Sequence, residues 1–215
     1  MESSDIRHVI RMLKKEVPKW PVPALAHYTR SPFTVLISCI LSLRTKDQTT
    51  TGASERLFEV AETPEAILEI PSADIERYIY PVSFYRVKAQ TIRKISSELL
   101  DRFEGRVPDT LDDLLSLPGV GRKTANIVVT LAFEKPGIAV DIHVHRISNR
   151  LGYVRTKNPD ETEMELRAKL PRRYWIVLND LLVTFGQNLC KPVSPHCSVC
   201  AIRQYCDRVG VDRSR

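Results

Sequence analysis

Nearly every stretch of this chain that carries apolar residues carries them at helical spacing, and this periodicity is what most restricts its fold. Residues 4–17 place Ile6, Val9, Ile10, Leu13 and Val17 on one helical face before two prolines interrupt the pattern in KWPVPA. PFTVLISCILSL, residues 32–43, reads as a buried helix with Pro32 in its first turn. Further helices are expected over 46–60, 64–69, 72–79, 84–103, 110–116, 122–133, 142–151, 160–169 and 171–188. Ser72, Thr110 and Asp141 are placed as N-caps, and NPDE opens the helix that starts at residue 160. The strict alternation that marks strands is nearly absent, so the predicted class is all-α.

A length of 215 residues suits one large domain or two small lobes. The composition shift at EKPGIAVD suggests one boundary. No window approaches the roughly 18 consecutive apolar residues of a spanning helix, and MESSDIRHVIRMLKK lacks an apolar signal-peptide region. A protein with no membrane association, located in the cytoplasm, is expected. The formal charge of +6 favours a polyanionic partner such as nucleic acid, although Lys14, Lys15, Lys19, Arg172 and Arg173 read as solvated helix faces.

Two local patterns carry chemistry. In LPGVGRKTANIVV, Gly119 and Gly121 permit a tight turn that opens a helix, with TLDDLLSL as the helix before it. A turn of this kind presents backbone N–H groups to a phosphate without reading base sequence. It can also be a plain corner in which the glycines only save space. Lys123 follows at the start of the helix, where the positive dipole end disfavours an ammonium and so assists a nucleophilic amine. Taken alone, Lys123 fits a phosphate contact, and Asp141, eighteen residues later in VDIHVHRISNRLG, fits a helix cap.

The second pattern is CKPVSPHCSVCAIRQYC, with Cys190, Cys197, Cys200 and Cys206 spaced C-x6-C-x2-C-x5-C. Four thiols within the last 26 residues indicate a metal centre, not a disulfide framework, and the spacing suits zinc or an iron-sulfur cluster. Lys191 and His196 lie in the loop between the first two cysteines and can offer positive charge to phosphates. Cys39, inside TVLISCILS, reads as a buried packing thiol.

LPGVGRKTANIVV followed by VDIHVHRISNRLG resembles the helix-hairpin-helix DNA glycosylase superfamily, and in particular its endonuclease III family of bifunctional glycosylases. The resemblance runs from about Pro32 to Cys206. It implies two helical lobes flanking a DNA-binding cleft: residues 25–135 with the hairpin, and residues 1–24 plus 136–215 with the cysteine loop. It also implies that Lys123 attacks the sugar C1′ with help from Asp141, and that the cysteines hold a 4Fe-4S cluster, zinc being the alternative. Gly119, Val120, Gly121, Arg122 and Lys191 become DNA-backbone contacts.

Access to C1′ requires the nucleotide to leave the stack. The resemblance assigns the filling of that gap to LSLRTKDQTT, through Arg44, and to VSFYRVKAQ, through Phe84. Arg44 stands where the family often has glutamine and Ser83 where glycine is usual. Asp47 aligns with an acidic residue of the lesion pocket and also fits a helix cap; His143 is a second pocket candidate, and His145 is structural. Adenine-mismatch relatives carry a catalytic glutamate at the position of Cys39, which has no carboxylate.

The implied activity is removal of oxidised pyrimidines from damaged double-stranded DNA by a monomer acting in the cytoplasm, on the nucleoid if the source is prokaryotic. A monofunctional thymine or uracil mismatch glycosylase and a non-catalytic iron-sulfur DNA-binding or redox-sensing module are the alternatives.

Overall fold

The computed structural model describes residues 4–20 and 31–215. Among the described residues there are eleven α-helices and no strand, as the periodicity predicts. The chain divides into two compact units, Ala24–Lys135 and Met1–Pro23 with Pro136–Arg215. The division falls within EKPG.

In the unit Ala24–Lys135, α2 (Pro32–Ser42) is the central element, buried continuously from Phe33 to Leu41. A helix apolar on all sides must be surrounded. α3 (Asp47–Phe58), α6 (Tyr85–Phe103) and α8 (Arg122–Phe133) pack against it. α4 (Pro64–Glu69) and α5 (Ser72–Ile79) lie on α6, and α7 (Leu111–Leu115) lies on α8. The start of α2 is fixed by Ser31 and Thr34, each of whose hydroxyls accepts the other's backbone N–H, at 3.2 and 3.1 Å.

In the other unit, α1 (Ile6–Glu16), α9 (Ile142–Arg150), α10 (Pro159–Lys169) and α11 (Trp175–Asn188) share a second core. α1 buries Ile6, Val9, Ile10 and Leu13 and leaves Arg7, Arg11, Lys14 and Lys15 exposed. That core also contains Val144 and Ile147 of α9 and Leu178, Leu182 and Phe185 of α11. α10 starts at Asn158, whose side chain accepts the Glu161 N–H at 2.9 Å.

Some expected helix limits change, and so does one expected cap. The first helix ends at Glu16 and passes into a short 3-10 turn, Val17–Lys19, around Pro18. The segment 171–188 likewise begins as a 3-10 turn, Arg172–Tyr174, before α11. Ser72 is not an N-cap: Pro71 holds that position with extended backbone, and Ser72 is already helical with no side-chain cap. Thr110 does cap, its Oγ1 accepting the Asp113 N–H at 3.2 Å. Thr110→Ala is therefore expected to lower stability by about 1 kcal/mol in chemical denaturation. Ser72→Ala should stay within about 0.5 kcal/mol of the parent protein.

Candidate functional site

The glycine turn is built from a buried anchor and an exposed rim. Val120 is 7% exposed, and its N–H donates to the Leu117 carbonyl at 3.2 Å, so it pins the turn. Gly119 and Gly121 on either side are exposed. Gly119 has φ +74, and a Cβ there would lie 2.9 Å from Thr91 Cγ2. Glycine is thus required twice, by conformation and by space.

Gly121, the N-cap of α8, has no side chain with which to cap the helix. The first helical bond runs from Ala125 N–H to the Gly121 carbonyl at 2.9 Å. The N-terminus of α8 thereby presents its dipole end at the exposed rim, a suitable place for an anion.

Lys123 is the second residue of α8 and half-buried; its neighbours from Thr124 to Thr130 are buried. α8 packs along α2, and the Lys123 amine lies close enough to Cys39 for the two to interact electrostatically. Burial pushes the Cys39 thiol up to about 12, and the Lys123 charge opposes this only in part. A neutral, protonated thiol therefore stands behind the lysine.

Arg44 and Phe84 lie on exposed turns of this same unit. Both adopt left-handed backbone, with φ 54 and 58, and Phe84 is 61% exposed as the N-cap of α6. Non-glycine residues hold such a conformation only where their surroundings impose it. Asp47 is exposed at the first position of α3; it is not that helix's cap, because Lys46 occupies the cap position. Its charge suits the helix N-terminus.

Lys88 was not among the expected site residues. It is 6% exposed, and its Nζ donates to the carbonyls of Leu41 and Leu43, at 2.7 and 2.6 Å, and to Thr45 Oγ1 at 3.2 Å. The signal was present in the sequence: Lys88 falls on the apolar stripe of Ile92, Ile95 and Leu99, where a charged side chain needs buried partners.

In the other unit, Asp141 caps α9, its Oδ1 accepting the N–H groups of His143 and Val144, both at 2.9 Å. One carboxylate oxygen is thus committed to the cap, which fixes the orientation of the side chain. The His143 Nδ1 lies 3.1 Å from an Arg146 nitrogen and would be 2.5 Å from a Cβ at Gly186, so the ring packs closely against α11. His145 meets Thr162 and Asn149 through its Nδ1, the structural role expected of it.

Cys190, Cys197, Cys200 and Cys206 line one cavity together with Ile202 and Arg150. Burial is the main influence raising Cys200 to about 11, and the other three thiols push it in the same direction. Burial also raises Cys206, with Cys190 and Cys197 adding to the effect. Burial keeps Cys200 and Cys206 as neutral thiols unless a bound cation takes up their thiolates. Among the described residues, no three His, Cys, Asp or Glu side chains converge as ligands of a single ion.

Two arginines supply positive charge beside the thiols. Arg150, 8% exposed, donates to the carbonyls of Lys191 and Pro192, both at 2.6 Å, and reaches Cys190 Sγ at 3.6 Å. Arg146 donates to the Cys190 carbonyl at 2.9 Å, while its buried Nε has no hydrogen-bond partner. Lys191 is exposed on the loop that Arg150 holds. Residues 195–198 are further tied by Arg215, whose N–H donates to Pro195 and whose carbonyl accepts from Ser198.

An all-helical fold with a glycine hairpin ahead of a half-buried lysine defines a helix-hairpin-helix protein. The family model of the HhH-GPD superfamily base excision DNA repair proteins matches residues 37–172. Endonuclease III of Thermotoga maritima is 46% identical over 202 residues, which are 94% of this chain and 92% of that protein. Endonuclease III homolog 1, chloroplastic, of Arabidopsis thaliana is 42% identical over 83% of this chain and 49% of that protein, so this chain spans about half of its plant relative. A solved structure of a trapped endonuclease III–DNA covalent intermediate, an estranged-adenine complex, superposes with TM-score 0.88 at 36% identity, covering 97% of each chain. This chain belongs to the endonuclease III family of that superfamily.

Gly119→Ala is expected to lower stability by about 1–3 kcal/mol, because an alanine there is both strained and crowded. Gly121→Ala, with nothing within 4 Å of the added Cβ, should leave the unfolding midpoint nearly unchanged.

Proposed function

We propose that this protein is a bifunctional DNA glycosylase and abasic-site lyase that removes oxidised pyrimidines from double-stranded DNA. The observation that carries this reading is Lys123: a half-buried amine on the first turn of α8, directly after a turn suited to phosphate and in front of a neutral Cys39. Membership of the endonuclease III family supports the same assignment.

The chemistry follows from the groups present. Gly119, Gly121 and Arg122 hold the DNA backbone, with Val120 as the buried anchor, and Lys191 adds a phosphate contact from the cysteine loop. Arg44 and Phe84 fill the gap left by the extruded nucleotide, while Asp47 and His143 line the lesion pocket. Lys123 Nζ bonds to C1′ as the N-glycosidic bond breaks and the base leaves with a proton. Asp141 stabilises the positive charge that develops on the sugar, accepts the proton released by the lysine amine and passes it, directly or through water, to the departing base.

The sugar ring opens to an imine on Lys123. Loss of the C2′ proton then expels the 3′ phosphate by β-elimination, and water hydrolyses the imine to free the enzyme. One lysine thus serves both base removal and strand cleavage.

The four cysteines fit a 4Fe-4S cluster. Cys190, Cys197, Cys200 and Cys206, which line one cavity, would hold it. Arg146 and Arg150 neutralise the anionic donor set. When bound, such a cluster supplies structural cross-linking and a site able to accept or release an electron. A monomer acting on chromosomal DNA in the cytoplasm, at the nucleoid in a prokaryote, completes the proposal. Among the described residues no helix is long and apolar enough to cross a membrane.

Incubation with thymine-glycol duplex and borohydride should yield a covalent protein–DNA adduct in the parent protein and none in Lys123→Gln. No adduct with the parent protein on either thymine-glycol or abasic duplex would refute the lyase assignment. A monofunctional mismatch glycosylase would release base without forming an adduct, and a non-catalytic module would bind DNA with neither outcome. Anaerobically purified protein should be yellow-brown with absorbance near about 400 nm and carry iron and sulfide; a colourless protein with stoichiometric zinc would refute the cluster.

A further inference from the structure

Arg44 and Phe84 lie forty positions apart in the sequence, on separate turns of one unit, and each is held in a left-handed conformation. Both turns meet at a buried lysine. Lys88 Nζ donates to the Leu41 and Leu43 carbonyls, which lie at the C-terminal end of α2, and to Thr45 Oγ1. Thr45 Oγ1 also accepts the Ser83 N–H at 3.3 Å, linking one turn to the other. The backbone N–H of Lys88 donates to the Phe84 carbonyl at 3.0 Å. Leu43 and Thr45 flank Arg44, Ser83 precedes Phe84, and Lys88 is therefore bonded on both sides of the pair.

We propose that Lys88 and Thr45 form a buried clamp that makes the Arg44 and Phe84 turns one rigid platform for opening the duplex around a target nucleotide. Lys88 is a positioning residue, and the proposal rests on the reading of Arg44 and Phe84 as the inserting side chains. Each turn holds a non-glycine residue in left-handed backbone, which persists only where the surroundings over-determine it. The clamp over-determines both turns and presents the two side chains together. Thr45 has the bonding capacity for this position: its hydroxyl accepts from Lys88 and from Ser83 while donating to the Leu43 carbonyl at 3.2 Å. The amine is fully committed to this duty, its three N–H groups matched by three acceptors.

The test separates duplex opening from chemistry. Lys88→Met, Thr45→Val and Thr45→Ser are compared with the parent protein on thymine glycol placed either in a paired duplex or within a short mispaired bubble, under single-turnover conditions. Lys88→Met should slow excision from the paired duplex by about tenfold or more and from the bubble by less than about threefold. Thr45→Val should fall in the same direction, and Thr45→Ser, which keeps the hydroxyl, should match the parent protein. Equal losses on both substrates, or no loss on either, would overturn the proposal.

A second readout needs no catalysis: the fluorescence rise of 2-aminopurine opposite an abasic analogue at saturating protein. It should be diminished in Lys88→Met and Thr45→Val and retained in Thr45→Ser; unchanged fluorescence in the first two would overturn the clamp. If the parent protein forms no borohydride adduct, the lyase reading fails, while the fluorescence series still decides the clamp. Should Lys88→Met fail to fold, the Thr45→Val and Thr45→Ser pair decides it alone.

Discussion

The two glycines before α8 set where everything chemical in the unit Ala24–Lys135 can stand. Gly119 needs φ +74 and the space that a Cβ would take from Thr91, while Val120 is held in the core beneath the turn. This combination starts α8 at an exposed rim while its next turns are buried against α2. A lysine two positions past the turn is consequently half-buried whatever its own preferences. The wall behind it is Cys39, whose desolvated thiol contributes no charge. A carboxylate in that wall would pair with the amine and hold it protonated.

Both units solve a common problem in the same way. Side chains that must reach a partner sit on exposed turns, and turns leave backbone carbonyls in need of donors. In one unit Lys88 supplies those donors beside Arg44; in the other Arg150 supplies them to the loop that carries Lys191. Each cation is largely buried, each is spent on carbonyls, and neither is near enough to the surface to be a contact itself. Arg146 extends the second arrangement, joining His143 on α9 to the Cys190 backbone. The cysteine loop and the helix capped by Asp141 are thereby parts of one bonded structure.

The helices were legible because they depend on local information. Apolar spacing located α2, α4, α5 and α8 at or within one residue of their observed limits, and Thr110, Asp141 and Asn158 cap as their residue types suggest. Ser72 misled because a serine next to acidic residues looks the same whether it caps or follows the cap; the extended backbone of Pro71 decided it. The roles proposed for Lys123 and Asp141 come from the family resemblance and not from spacing, and the proposed metal site comes from the C-x6-C-x2-C-x5-C pattern. The clamp was not legible, since Lys88 reaches carbonyls more than forty residues away and nothing local reveals such a bond. The left-handed turns at Arg44 and Phe84 were hidden as well, because neither residue type favours that backbone.

The identity of the nucleophile is the claim on which the whole account turns, and peptide mapping of the borohydride-reduced adduct tests it most directly. After nuclease and protease digestion, mass spectrometry should place the sugar remnant on the Lys123 side chain in the peptide containing TANIVV. A remnant on Lys191, Lys46 or any other amine would contradict the account, even with glycosylase and lyase activity intact.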